Sequence, residues 1–343
     1  MGCKCRDGCK RKQCIAPRGV DLSTLPVTYH SVVTNSTFPY GATGAISPTI
    51  LLNVVQVSAN TGGRDILLID GYPRTWACWK NVLGSELALT NNLYAMDVRG
   101  FGQSQNPGPG APGGPTGCVG YNTVWNPDTF ARDIAAVITT LGLVNPILVG
   151  QSLGGTLIAD YVRVYGIDGT GGIGGACSTP VVGGPAISGI ILSGSFPEVN
   201  PLWFSPATLA IIANGGLFTN NLSQLLPAVN QFATISTFCR LRDPEFAEIR
   251  EMDMTNTLDS RIGALAPLPD GANNDAVWNT VTVPTWLIYG KKDNVITFDA
   301  QIKLLSVIPG SQLKLIKCGG HITQYDKPRE FNALIAEFLA ALP

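Results

Sequence analysis

Short apolar, β-branched runs alternate along this chain with longer segments whose apolar positions recur at helical spacing. Strands are predicted over 50–57, 65–69, 93–98, 146–150, 187–192, 284–289 and 312–317, each bounded by turn residues. Asn126-Pro127-Asp128 reads as a helix start: a cap, a first-turn proline and an anion at the positive end of the dipole. Phe130, Ile134, Val137, Ile138 and Leu141 then follow at helical spacing, and Gly142 closes the segment. Residues 153–165 and 331–339 are also predicted helical. Strands without internal polar alternation, separated by helices, imply a mostly parallel central sheet covered on both faces. Two segments rich in glycine and proline, 105–120 and 166–186, interrupt the rhythm and read as surface loops because the sheet pattern resumes after each.

Charge changes this picture most. Only 14% of the 343 residues are charged, against roughly 25% in an average soluble protein. With 23 basic and 24 acidic residues the formal net charge is -1, which argues against a nucleic-acid partner. Disorder through charge excess is excluded as well. The deficit is local: apart from His30, nothing between Asp21 and Arg64 is charged, nor is anything from Gly100 to Pro127 or from Val199 to Cys239. The last stretch is apolar but broken by Pro206, Asn214, Gly215 and Gly216, so no transmembrane helix is expected.

Residues 1–20 differ from the rest. Six basic residues and one acidic residue precede position 19, together with Cys3, Cys5, Cys9 and Cys14. No apolar run follows, so a secretory signal is not expected. Three readings stay open: a disordered basic leader, lipid anchoring through Gly2, Cys3 and Cys5, or a metal site, although the cysteine spacing lacks a C-x2-C pair and a histidine. Cytoplasmic location is expected, with membrane association if the leader is lipidated. The remaining five of nine cysteines are scattered, and buried free thiols are the expectation rather than a disulfide framework. Asn35 and Asn221 fit the glycosylation sequon at a frequency that chance explains.

The chemistry is carried by Gly150-Gln151-Ser152-Leu153-Gly154, a G-x-S-x-G placed between a predicted strand and a predicted helix. Such a turn forces the serine into strained backbone angles, and close approach of neighbouring chain leaves no room for Cβ atoms at 150 and 154. The hydroxyl is thereby raised at a helix N-terminus, where the Leu153 N–H faces developing negative charge. A serine nucleophile needs a base, and the chain has only two histidines. His30 lies in a strand-like stretch and is expected to be structural. His321 follows Gly319-Gly320 at the end of the last predicted strand, where sheet active sites gather. Asp293, just past the strand ending at Tyr289, is the favoured partner for His321, with Glu198 the competitor.

These motifs, taken in order, resemble an α/β-hydrolase from about Asp65 to Leu342. Asp70-Gly71-Tyr72-Pro73 resembles the family's His-Gly-x-Pro oxyanion loop, which implies the Tyr72 N–H as a second donor beside Leu153. Asp97-Val98-Arg99-Gly100-Phe101-Gly102-Gln103-Ser104 resembles a family turn whose role is structural. Gly290-x-x-Asp293 and Gly319-Gly320-His321 resemble the acid and histidine regions. Asp70 stands where the family usually has histidine. Serine rather than aspartate at 152 speaks against epoxide hydrolases and haloalkane dehalogenases.

The resemblance implies an α/β-hydrolase fold with an inserted cap: a leader at 1–20, the first part of the core at 21–195, the cap at 196–280, and the second part of the core at 281–343. Trp203, Phe204 and Phe218 are the candidates to contact substrate, with packing as their bland alternative. The charged end of the insertion, from Arg240 to Asp253, reads as an exposed helix. The expected activity is cleavage of a small hydrophobic ester by Ser152, Asp293 and His321, with Tyr72 and Leu153 as oxyanion donors and no metal or cofactor. A C–C bond hydrolase or cofactor-free haloperoxidase-like enzyme would use the same triad, and a non-catalytic binding protein is the third reading.

Overall fold

The computed structural model describes residues 25–35, 49–58, 62–111, 122–175, 178–238, 243–265 and 273–343. The leader with Gly2, Cys3 and Cys5 lies outside the described residues, as do the cysteines at 118, 177 and 239.

Eight strands form one sheet in the order β1-β2-β4-β3-β5-β6-β7-β8. β1 (Val27–Asn35) and β2 (Thr49–Ser58) pair antiparallel, and β2 joins β4 (Asn92–Met96) the same way. From β4 through β3 (Asp65–Ile69), β5 (Ile147–Gln151), β6 (Gly189–Ser193), β7 (Thr285–Gly290) and β8 (Gln312–Ile316) every pairing is parallel. The seven predicted strands are all present, with ends within two residues of expectation. Each inner strand is buried on both faces, which is why its sequence reads as an unbroken apolar run.

Alternate residues of these strands feed two separate cores. Leu67, Ile69, Leu148, Ile190, Leu192 and Leu287 face α3 (Pro127–Thr140), α4 (Leu153–Tyr165) and α10 (Phe298–Val307). Ile66, Leu68, Ile147, Val149, Ile191 and Ile288 face α1 (Lys80–Leu83), α2 (Leu87–Thr90) and α12 (Pro328–Ala341). Each such side chain, moved fully out of water, contributes about 1.5–3 kcal/mol. α3 starts where the sequence places it: Asn126 Oδ1 accepts from the Thr129 N–H at 2.9 Å, and the Thr129 hydroxyl returns the contact in a capping box.

Between β6 and β7 the chain leaves the sheet and forms α5 (Pro206–Ala213), α6 (Leu222–Ser236), α7 (Asp243–Met254), α8 (Leu258–Gly263) and α9 (Asp275–Trp278). α11 (Thr323–Asp326) follows β8. None of the described helices is long and apolar enough to cross a membrane. Two expectations change here. α7 is not simply exposed: Ile249, Met252 and Asp253 are buried on its inner side, and Asp253 meets the buried Arg74 at 3.4 Å. Nor are all the cysteines free thiols. Cys78 is free and buried, whereas Cys318 is disulfide-bonded, its partner lying outside the described residues.

Candidate active site

Ser152 sits between β5 and α4 with φ 53° and ψ -119°, a left-handed conformation that costs energy for any residue with a Cβ. Close packing enforces it. A Cβ on Gly150 would come within 2.5 Å of the Gly155 nitrogen, and one on Gly154 within 2.2 Å of the Ile69 carbonyl oxygen. Both collisions fall where the sequence predicts them. Ser152 N–H is held by the Ser193 carbonyl at 2.8 Å, so the turn is pinned to the neighbouring strand end.

His321 and Asp293 come together from the ends of β8 and β7. Nδ1 of His321 lies 2.8 Å from Oδ2 of Asp293, and both side chains are fully buried. The other carboxylate oxygen, Oδ1, accepts the N–H groups of Val295 and Ile296 at 2.7 and 3.0 Å. With Oδ1 fixed by its own loop, Oδ2 orients the imidazole. Gly194 makes this approach feasible: a Cβ there would lie 3.2 Å from His321 Nδ1 and 3.3 Å from Asp293 Oδ2. Gln151, adjacent to Ser152, donates to the His321 carbonyl at 3.3 Å. The remaining ring nitrogen, Nε2, is buried without a hydrogen-bond partner. Ser152 and His321 are therefore not hydrogen-bonded to each other in this arrangement.

Asp70, Gly71 and Tyr72 form the other side of the nucleophile. Gly71 packs so closely that a Cβ would lie 2.7 Å from that of Ser152. Its N–H donates to Asp70 Oδ1 at 2.7 Å, while Oδ2 has no hydrogen-bond partner. Burial pushes the Asp70 carboxyl up to about 7, the Gly71 N–H and Arg74 only partly offsetting it. Tyr72 is wedged edge-on between Phe101 and Phe232, and burial raises its phenol far above the ordinary range. Its hydroxyl, too, has no hydrogen-bond partner.

Glu198 stands apart from His321. Its Oε1 accepts from Trp203 Nε1 at 2.8 Å, and burial raises its carboxyl. His30 Nε2 lies 2.7 Å from Gln56 Oε1 on the β1–β2 ladder, away from these groups. Asp97 and Arg99 tie loops together: Asp97 accepts from Trp76 N, Asn53 Nδ2 and Gln103 N, and Arg99 forks onto both oxygens of Asp133.

A narrow, mostly apolar cavity touches Ser152, Leu153 and Tyr72. Of the three aromatic residues expected to meet substrate, Phe204 lines it; Trp203 and Phe218 are not among its walls. Phe196, Phe232, Leu217 and Ile296 complete an apolar lining that sequence reasoning identified only in part. Val295 and Ile296 had no signal as lining residues, since only the return of the chain after Asp293 brings them there. Among the described residues no cluster of His, Cys, Asp and Glu has the arrangement of a metal site.

The sequence profile described as "Alpha/beta hydrolase family" matches residues 66–334. Over 224 residues the chain is 25% identical to the 2-hydroxy-6-oxononadienedioate/2-hydroxy-6-oxononatrienedioate hydrolase of Pseudomonas sp, covering 62% of this chain and 69% of that protein. Among solved structures, an esterase from Rhodococcus sp. ECU1013 superposes with a TM-score of 0.67 at 20% identity, covering 85% of this chain and 96% of that one. A bromoperoxidase from Bacillus anthracis gives 0.65 at 19% identity, covering 85% and 96%. At such identities the structural likeness speaks for the fold alone.

Proposed function

This chain belongs to the alpha/beta hydrolase family, and from that premise we propose that it is a serine hydrolase cleaving carboxylic esters of small hydrophobic acids. The observation that carries the proposal is the buried His321–Asp293 pair, 2.8 Å apart, at the same carboxyl end of the sheet as a serine held at φ 53° after β5. Ser152 Oγ attacks the ester carbonyl while His321 Nε2 takes its proton, then returns it to the departing alcohol. Water, deprotonated by the same nitrogen, opens the acyl-enzyme and regenerates Ser152. Asp293 fixes the tautomer of His321 and stabilises the imidazolium. The N–H groups of Leu153 and Tyr72 receive the oxyanion, and losing one such donor typically costs roughly 10²–10³ in rate. Residues 196–280 act as a cap over a core made of 21–195 and 281–343.

The cavity favours an ester over the dianionic substrates named for the Pseudomonas relative. Its lining contains no cationic side chain. The buried guanidinium of Arg261 is already spent on the carbonyls of Leu217 and Thr219, both at 2.7 Å. Beside Ser152 and Tyr72, the polar side chain in the lining is Thr208, which donates its hydroxyl to the Val295 carbonyl at 3.0 Å. A carboxylate placed there would lose its hydration with no cation to offset it, at a cost of several kcal/mol.

Incubation with a fluorophosphonate is expected to label the protein covalently and Ser152→Ala to abolish the label. Labelling that survives the substitution would place the nucleophile elsewhere. A panel of p-nitrophenyl esters, lactones and vinylogous diketones then separates ester from C–C cleavage. Turnover of the diketones in preference to the esters would overturn the ester assignment.

A further inference from the structure

Three segments around Ser152 meet at one residue of the helical insertion. α6 contributes Phe232 to the cavity lining and ends four residues later at Ser236, which is fully buried. The last carbonyls of a helix lack intrahelical partners, and at Ser236 the partners come from the histidine loop. Its carbonyl accepts the N–H of His321 at 2.9 Å and of Ile322 at 3.2 Å. Its hydroxyl donates to the Phe232 carbonyl at 2.7 Å and accepts from Arg74 Nη2 at 3.0 Å.

Arg74 belongs to the turn that carries Tyr72, closed by the Arg74 N–H on the Gly71 carbonyl at 2.9 Å. Its guanidinium lies 5.4 Å from the centre of the Phe232 ring and 3.4 Å from the buried Asp253 of α7. Beyond Ser236 the link to the histidine loop is repeated: Asp326 Oδ2 accepts both Phe238 N–H and Gly320 N–H at 2.7 Å. The end of α6 is thus bonded to both loops that flank the nucleophile, and the same helix walls the cavity.

We propose that Ser236 is a positioning residue: through its carbonyl to His321 and its hydroxyl to Arg74, it transmits occupation of the cavity at Phe232 to both catalytic loops. This rests on the roles given above to Ser152, His321 and Tyr72. An acyl chain that fills the cavity then spends its binding energy on aligning the loops, so chain length is felt in kcat rather than in KM.

The test compares p-nitrophenyl acetate with the hexanoate ester in wild type, Ser236→Ala and Arg74→Lys. Alanine keeps the backbone carbonyl and removes the hydroxyl's ties to Arg74 and to the Phe232 carbonyl; lysine keeps a cation opposite Asp253 and leaves the Phe232 tie intact. In wild type kcat is expected to rise from acetate to hexanoate. In each variant that rise should vanish, with hexanoate kcat down about tenfold or more and KM changed less than about threefold. The double variant should be no worse than the worse single one, because both cut the same link. Melting curves check folding, and if Ser236→Ala does not fold, Arg74→Lys decides. The proposal is overturned if kcat falls equally for both esters, if the loss lies in KM, or if the two substitutions add. Failure of the underlying roles shows separately: wild type would then take no fluorophosphonate label at Ser152, and both readings fall.

Discussion

The two walls that flank Ser152 are built on opposite principles. On the Asp293 side every polar atom of the carboxylate is engaged, Oδ1 with two backbone N–H groups and Oδ2 with His321. On the Asp70 side the carboxyl uses one oxygen on Gly71 and leaves the other unpartnered, and the Tyr72 hydroxyl and Arg74 Nη1 are unpartnered as well. On the Asp293 wall two backbone N–H groups fix one carboxylate oxygen and leave the other aimed at His321. The Asp70 wall is held by buried ionisable groups, whose charge state depends on the medium and on one another. A fully satisfied polar network specifies one geometry, whereas a partly satisfied one is open to adjustment.

The largest effect should come from breaking the satisfied wall. Asp293→Asn keeps the shape but offers an N–H or carbonyl oxygen where His321 needs a carboxylate, so kcat is expected to fall by roughly 10³–10⁴ with KM little changed. A loss below tenfold would return the role to Glu198. An intermediate effect is expected on the other wall. Asp70 is raised to about 7 by burial, from about 3.9 in an unfolded chain. The folded state therefore holds a proton that the unfolded state releases, and this contribution favours folding at low pH and fades as pH rises through about 7. The melting temperature should decline between about pH 4 and 7, and Asp70→Asn, neutral throughout, should make that decline shallower. Asp253 at about 6 and Asp160 at about 7 have the same sign, so part of the slope remains. An unchanged slope would show that Asp70 titrates alike in both states. The smallest effect belongs to Glu198→Gln, which keeps an acceptor for Trp203 Nε1; kcat/KM for ester hydrolysis should change by less than about threefold.

The walls also differ in how far they could be read in advance. Asp293 and His321 each follow a short apolar strand and a glycine, so their place at a strand's carboxyl end is a local property of the chain. Ser152 is more local still, since the glycines at 150 and 154 exist because of contacts within a few residues and with the next strand. Arg74, Ser236 and Asp253 carry no such mark. They meet across 162 positions between Arg74 and Ser236, and Asp253 sits in a charged run that reads as solvated until α7 turns that one carboxylate inward. Cys318 likewise looks like an ordinary buried thiol in a chain without disulfide spacing, and only the fold gives it a partner.

By itself the sequence determined the parallel strands, the three helices α3, α4 and α12, and the strand-end places of Ser152, Asp293 and His321, because apolar period, turn residues and a glycine-framed serine act over a few neighbours. The tertiary structure alone decided which aromatic residues line the cavity, which carboxylates are stripped of water, and that the end of α6 is bonded to both the Arg74 turn and the His321 loop. Those outcomes depend on long-range approach: burial shifts a carboxyl or frees a helix carbonyl only once a distant segment has displaced the solvent around it.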